Sequence, residues 1–569
     1  MSVAKARRTQ LLSTYGVGSL FPSETTSYMI AGIHEWKPRE GDTISEPRLA
    51  RSLGVSELKS PPAGSKNKRD VPVIRFPITQ VCPSCRRIDS LVRLSGDPAK
   101  ARCTCEKRTE LSPFRLVIAC TRGHIDEFPY FRWLHKGQDS GSDHTMHLRA
   151  RGRTSSLADL ELTCTCGVEP RSLDGSAGPK ALAEFGACAG HRPWLGPDAT
   201  QPCDEIPRAV QRGASNVWLP AVRSAISIPP YSQALAKFVT RNWASLEDPD
   251  AVSQALLQSL ARHSRRFTAK EIETEVERRR GEQLDDLLTE AALRKQEYRA
   301  LLEGREQDGL DDDFVCVERD VPVDFEHIIS DVRKVTRLRE VRALYGFTRL
   351  ADETGEENLC DLSPEKTFWL PAVEVIGEGI FVSFHRDELE RWAGTTFAAE
   401  RWAMFTAASG GTSPWEDLPG VSGLIGVALH TFAHLIIDQL ALTAGYPAAS
   451  LRERLYVDEA MAGFLIYTAS SDSAGSLGGV ASQAEPDSFG PALQEGLTRL
   501  SWCSADPVCI ESRGSGSDAL NLAACHACVL LPETSCELGN RYLDRALLFG
   551  TPEDGHEDHG LFSDVLFAG

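Results

Sequence analysis

The residues whose type and spacing could do chemistry in this sequence are cysteines in close pairs. They are Cys82 and Cys85 in CPSC, Cys103 and Cys105 in CTC, Cys164 and Cys166 in a second CTC, and Cys525 and Cys528 in CHAC. A thiolate is a nucleophile, a redox partner or a soft metal ligand, and two close pairs joined by a loop can wrap four sulfurs tetrahedrally around one Zn2+. Cys82, Cys85, Cys103 and Cys105 fit that pattern and are expected to hold a structural zinc. Cys164, Cys166, Cys188 and Cys203 make a looser second set, for which Cys120 and His124 of CTRGH, together with His191, compete as donors. A third set takes Cys525, Cys528 and Cys536. Its expected fourth ligand is Cys509, nearer in sequence than Cys503, which is left without a role.

Zinc held by four thiolates has no position open to water, so two to three such Zn2+ sites are expected to be structural and not catalytic. Other chemistry competes. Cys525 and Cys528 could be a redox pair, but a third cysteine close by argues for metal. His430 and His434 in HTFAH share one helical face at the spacing metalloproteases use. Thr431 stands where their general-base glutamate would be, so a zinc-dependent hydrolase or nuclease built on this pair is only the alternative reading. The loop SAGSLGGV could approach a phosphate, yet no GxxxxGK[ST] motif occurs in the sequence, and a P-loop ATPase is not supported. Catalytic residues are accordingly expected to be absent. The run RKVTRLREVRALYGFTRL sets Arg333, Lys334, Arg337, Arg339, Arg342 and Arg349 against one acid, Glu340. It is a candidate contact for nucleic-acid phosphates or an acidic partner, with a salt-bridged face as the alternative.

These residues need elements to position them. With 569 residues the chain is too long for one hydrophobic core, and several domains are expected. Residues 1–75 make an N-terminal segment ending in a polar linker at 57–72. Residues 76–210 form a cysteine-rich zinc-binding region of short strands and knuckles. Residues 211–320 form a helical region, whose segments between 231 and 306 repeat apolar residues at three and four, followed by an acidic loop at 306–314. A mixed α/β region spans 321–420, with strand character at 368–384, and a C-terminal zinc-containing α/β domain spans 421–569. The fold class expected is multidomain α/β (α+β), with small zinc-ribbon-like modules and a helical insertion.

Composition excludes several classes. The chain is 41% hydrophobic and 25% charged, as ordinary globular proteins are, and its net charge of −18 argues against a uniformly basic nucleic-acid coat. Sixteen cysteines with no secretory leader suggest reduced thiols and a cytoplasmic protein. The apolar stretch 424–442 is interrupted by His430, His434, Asp438 and Gln439, and is expected to be a buried helix, not a membrane span.

Several segments together resemble one family. LHTFAHLIIDQLALTAGYPAASLRERLY, GFLIYTASSDSAGSLGGV, WCSADPVCIE and NLAACHACVLLPETSCELGNRYLDRALL look like the C-terminal domain of the DrmB proteins of DISARM anti-phage defence, a domain related to one at the end of MrfA-type DNA-repair helicases. The resemblance extends upstream through RRTQLLSTYGVGSLF, CTRGHIDEFPYFRWLH, KVTRLREVRALYGFTRL and LPAVEVIGEGIF. It implies a non-catalytic, zinc-containing bacterial subunit that associates with the DISARM helicase DrmA and helps it engage DNA. It carries the terminal zinc site onto Cys525, Cys528 and Cys536, and leaves the choice between Cys509 and Cys503 open.

Overall fold

The computed structural model describes residues 5–567 apart from 24–25, 64–69, 98–99, 138–143, 153–155, 283–287, 307–312, 351–356, 409–420, 469–478, 517–519 and 553–558. Most of the glycine-rich loop SAGSLGGV and of the acidic loop, and part of the polar linker, therefore lie outside the described residues. The chain forms two compact units: 1–44, 53–224 and 342–373 make the first, and 45–52, 225–341 and 374–569 the second. Of the segments expected from the sequence, 76–210 lies wholly in the first unit and 421–569 wholly in the second.

The first unit is built of small antiparallel sheets. A six-stranded sheet runs in the order Arg171–Ser172, Leu160–Cys164, Met146–Ala150, Arg87–Ser90, Thr79–Val81, Ser112–Pro113. A three-stranded sheet sets Leu116–Ala119 between Ile125–Glu127 and Arg208–Gln211. Strands this short cannot enclose a large core. The apolar centre, with Phe114, Leu116, Phe128, Trp133, Leu162 and Leu173, is modest and leaves the cysteine-bearing turns at its margin.

The second unit holds the larger core. Its sheet runs 329–341, 374–384, 462–468, 451–457, and the last two form an antiparallel hairpin with Leu451 opposite Thr468. Every residue from Ala462 to Thr468 is buried, because the sheet is covered on both faces. The helix Val421–Thr443 packs Leu424, Phe432 and Ile436 into a core with Phe384, Phe464, Leu493 and Leu547. It is long and apolar enough to cross a membrane, yet nearly all of it is buried inside the protein, so its apolarity is explained by core packing.

The expected helical insertion is present as Ala234–Arg241, Gln254–Ser264, Ala269–Glu282 and Glu290–Glu303. Ser253 and Thr289 cap two of these helices by accepting hydrogen bonds from the N–H groups of Leu256 and Ala292. The first three bury Val239, Leu257, Ile272 and Val276 against one another. The fourth buries Glu297 against Arg454 at 2.6 and 2.9 Å, a paired charge that fixes this helix on the 451–457 strand. The architecture is the multidomain α+β class expected, with knuckle-like cysteine modules and a helical insertion.

Candidate metal centres

Among the described residues, five groups of four side chains bring possible ligand atoms within 4.8 Å of one another. One is the set expected first: Cys82, Cys85, Cys103 and Cys105. The CPSC turn joins strands Thr79–Val81 and Arg87–Ser90, and it closes because Arg86 takes a positive φ of 65° and donates its N–H to the Cys82 carbonyl at 2.9 Å. The Cys85 N–H then points at Cys82 Sγ at 3.4 Å. Burial pushes the Cys82 thiol up, but the N–H groups of Cys85 and Ser84 outweigh it and hold it at about 7. Sulfurs lie 3.9 Å apart for Cys82 and Cys105 and 3.7 Å for Cys85 and Cys103. At a Zn–S length of about 2.3 Å, the edge of a tetrahedron is about 3.8 Å, so the donors already stand where zinc would hold them.

The second expected set is not brought together. Cys164 and Cys166 are placed beside His135 and His144, whereas Cys188 and Cys203 are placed beside Cys120 and His124. Strand pairing separates them. Leu160–Cys164 pairs with Met146–Ala150, with Cys164 opposite Met146, and so lies next to the segment carrying His144. The helix Tyr130–Leu134 delivers His135, whose Nδ1–H donates to the Phe131 carbonyl at 2.9 Å and leaves Nε2 3.4 Å from Cys166 Sγ. Cys120 and His124 close the hairpin between Leu116–Ala119 and Ile125–Glu127, with Cys120 Sγ 3.4 Å from His124 Nδ1 and 4.0 Å from Cys203 Sγ. Gly123 in that turn has a positive φ of 77°, and a Cβ there would meet Cys360 Sγ at 1.8 Å, so only glycine closes it. A hydrogen bond from Cys120 holds the Cys188 thiol down at about 4. His191 is not in the group; it pairs with Asp126 at 2.7 Å. His135 and His144 were not expected: they lie 29 and 20 residues before Cys164, and no local motif ties them to it.

The C-terminal set is also rearranged. Cys503 and Cys509 both join Cys525 and Cys528, with sulfur separations of 3.5 Å for 503–525, 3.7 Å for 509–528 and 3.7 Å for 525–528. The question between Cys503 and Cys509 is resolved by both belonging. A hydrogen bond from Cys528 and the charge of Arg545, which pairs with Asp506, outweigh burial and hold the Cys509 thiol at about 6.

Cys536 is elsewhere. The turn 531–540 is clasped by Asn540, which accepts from the Leu531 N–H at 2.9 Å and donates to the Leu531 carbonyl at 2.7 Å. The Ser535 carbonyl accepts from the Glu453 N–H at 3.0 Å, carrying Cys536 to the strand that bears Glu453. There it meets His430 and His434, and these four residues are no more than 8% exposed.

The basic run is not an exposed basic face. It lies on the strand Ile329–Thr348 and its immediate continuation. Arg339 is buried against Glu374 at 2.9 Å and the Ser45 carbonyl at 2.6 Å. Arg349 is buried and donates to the carbonyls of Gly123, Val217 and Gly18 at 2.6–2.9 Å. Arg333 pairs with Glu318 and Asp331, Lys334 with Glu485, and Arg337 with Asp313. Arg342 is half-buried. Five of the six basic residues of this run, Arg333, Lys334, Arg337, Arg339 and Arg349, thus have partners within the fold.

Comparison with known proteins agrees with this organisation. Residues 7–219 match a domain of unknown function, DUF8724, and residues 432–529 match the MrfA Zn-binding domain, a range that contains Cys503, Cys509, Cys525 and Cys528 but neither His430 nor Cys536. The DISARM protein DrmB of Bacillus paralicheniformis is 31% identical over 561 residues, covering 93% of this chain and 97% of that protein.

Proposed function

The chain belongs to the DrmB family of DISARM proteins, and from that premise we propose that it is a non-catalytic, zinc-held subunit that partners the DISARM helicase DrmA in the bacterial cytoplasm and helps it engage DNA. Its membership of a DISARM defence family and its use of zinc are established by the end-to-end match and the MrfA Zn-binding domain. The observation that carries the accessory reading is the closure of the cysteine clusters: each offers four donors to one ion, which leaves no coordination position for a substrate or a hydrolytic water. In this reading Cys82, Cys85, Cys103 and Cys105, and likewise Cys503, Cys509, Cys525 and Cys528, hold zinc as cross-links for modules with thin cores. Zinc bound there supplies folding energy, and the N–H groups of Cys85, Ala505 and Ala527 are aimed at the sulfurs of Cys82, Cys503 and Cys525.

DNA contact is assigned to the complex and not to the 333–349 run, in which Arg333, Lys334, Arg337, Arg339 and Arg349 meet partners within the fold. A more suitable partner contact is the rim of the C-terminal cluster. Trp502 is 66% exposed and Val508 79% exposed, each next to a cysteine of that cluster. Large apolar side chains left open beside a rigid knuckle are what a partner protein can cover.

Co-purification with the helicase, together with DNA-dependent ATPase assays with and without this chain, tests the proposal. Stable capture and a change in ATPase rate are expected. Absence of both contradicts it.

A further inference from the structure

We infer that His430, His434, Glu453 and Cys536 form a buried metal centre, distinct from the four-cysteine cluster of the same domain, which binds one divalent ion of the zinc class through two nitrogens, one oxygen and one sulfur. This inference does not depend on the helicase reading.

The distances fit one ion. His430 Nε2 lies 3.2 Å from Cys536 Sγ and 3.1 Å from Glu453 Oε1, and His434 Nε2 lies 3.6 Å from the same oxygen. With Zn–N and Zn–O near 2.0–2.2 Å and Zn–S near 2.3 Å, the edges of a mixed tetrahedron are about 3.3–3.6 Å.

The protons are placed for a metal. His430 Nδ1 is 3.2 Å from the Tyr542 carbonyl and His434 Nδ1 is 2.9 Å from the Val529 carbonyl. A carbonyl only accepts, so each Nδ1 carries the hydrogen, and in the neutral ring each Nε2 presents a lone pair to the centre. Nε2 of His434 and Oε2 of Glu453 are both buried with no hydrogen-bond partner, and buried polar atoms are rarely left so. An imidazolium ion pair would give the His434 Nε2–H an acceptor at hydrogen-bond distance; 3.6 Å does not provide one.

Cys536 is held as three cysteines of two other clusters are. The N–H two residues on points at the sulfur, from Leu538 at 3.3 Å, and the same contact occurs from Gly190 to Cys188, Ala505 to Cys503 and Ala527 to Cys525 at 3.4 Å. The Asn540 N–H adds a second donor at 3.2 Å. Two N–H donors aimed at one sulfur are the contacts that orient a cysteine as a metal ligand.

Charge explains why this centre can be so deep. Two neutral imidazoles, a carboxylate, a thiolate and a divalent ion sum to zero. Without the ion, a carboxylate and a thiol would be packed side by side in apolar surroundings, an arrangement that is costly unless something positive lies between them. The ion would tie the helix Val421–Thr443 to the strand Leu451–Val457 and to the 531–540 turn in one step. With all four positions filled, it leaves none for water.

The test is metal analysis of the full chain, purified without an affinity histidine tag. Cys536→Ser and His430→Gln variants are each expected to carry one metal ion fewer than the wild type while the cysteine clusters keep theirs. Anomalous-difference density from wild-type crystals is expected to place a transition-metal peak between the four donor atoms. Unchanged metal content in a folded variant overturns the inference. Should the variants not fold, the wild-type map decides alone, and no peak at that position overturns it.

Discussion

The Nε2 atom of His430 stands 3.2 Å from the sulfur of Cys536, 106 residues further along the chain. That pairing removes Cys536 from the cluster its sequence neighbours form and gives Cys503 the place beside Cys525. The two cysteines are therefore not interchangeable, and the predictions begin there.

Cys503→Ser and Cys536→Ser should each cost one ion, but different ones, and the double variant should lose two. Zinc sites of this type contribute on the order of 10 kcal/mol to folding of their modules, so each single variant should also melt at clearly lower temperature. Metal content by mass spectrometry and thermal melts check this. Loss of only one ion in the double variant would show a single shared site.

Cys164→Ser and Cys188→Ser should likewise remove separate ions, since the sulfurs belong to separate groups. His135→Ala should act like Cys164→Ser, and His124→Ala like Cys188→Ser. If Cys164→Ser and Cys188→Ser together remove no more than either alone, the two groups are one site.

Arg349→Ala should destabilise the protein by roughly 3 kcal/mol or more, because it strips three buried carbonyls of a charged donor. Arg349→Lys should rescue little, since an ammonium cannot reproduce the guanidinium fork. Denaturant midpoints measure both. A wild-type midpoint in Arg349→Ala would contradict the structural role given to this residue.

Replacing Trp502 by Ala and Val508 by Ser should leave melting temperature and metal content unchanged, because both side chains are exposed, and should weaken capture of the helicase at least tenfold. Titration by light scattering or calorimetry measures it. Unaltered affinity would move the contact away from this rim.

How much was legible in the sequence follows from how local each signal is. Cys82, Cys85, Cys103 and Cys105 could be grouped because two tight turns on adjoining segments determine the site. The helix around His430 and the strand Trp369–Phe384 showed in residue pattern alone. The placing of Cys164 with His135 and His144 depends on strand register, with Cys164 opposite Met146, and spacing carries no register. Cys536 was grouped with Cys525 and Cys528 by proximity and by the family resemblance, whereas a turn clasped by Asn540 and a backbone bond to Glu453 decide its neighbours. The arginines of the 333–349 run looked solvent-facing by charge. On a strand covered from both sides, their acceptors come from residues as distant as Gly18 and Ser45, which no local window contains.

The central claim is that closed, four-donor metal clusters hold this chain together. Crystals of the full chain, measured on both sides of the zinc absorption edge, test it most directly. Five anomalous peaks are predicted, one within each group of donors, each surrounded by four protein atoms and no water. Peaks at fewer than four of these positions, or a metal with an open, water-filled coordination site, would contradict the account.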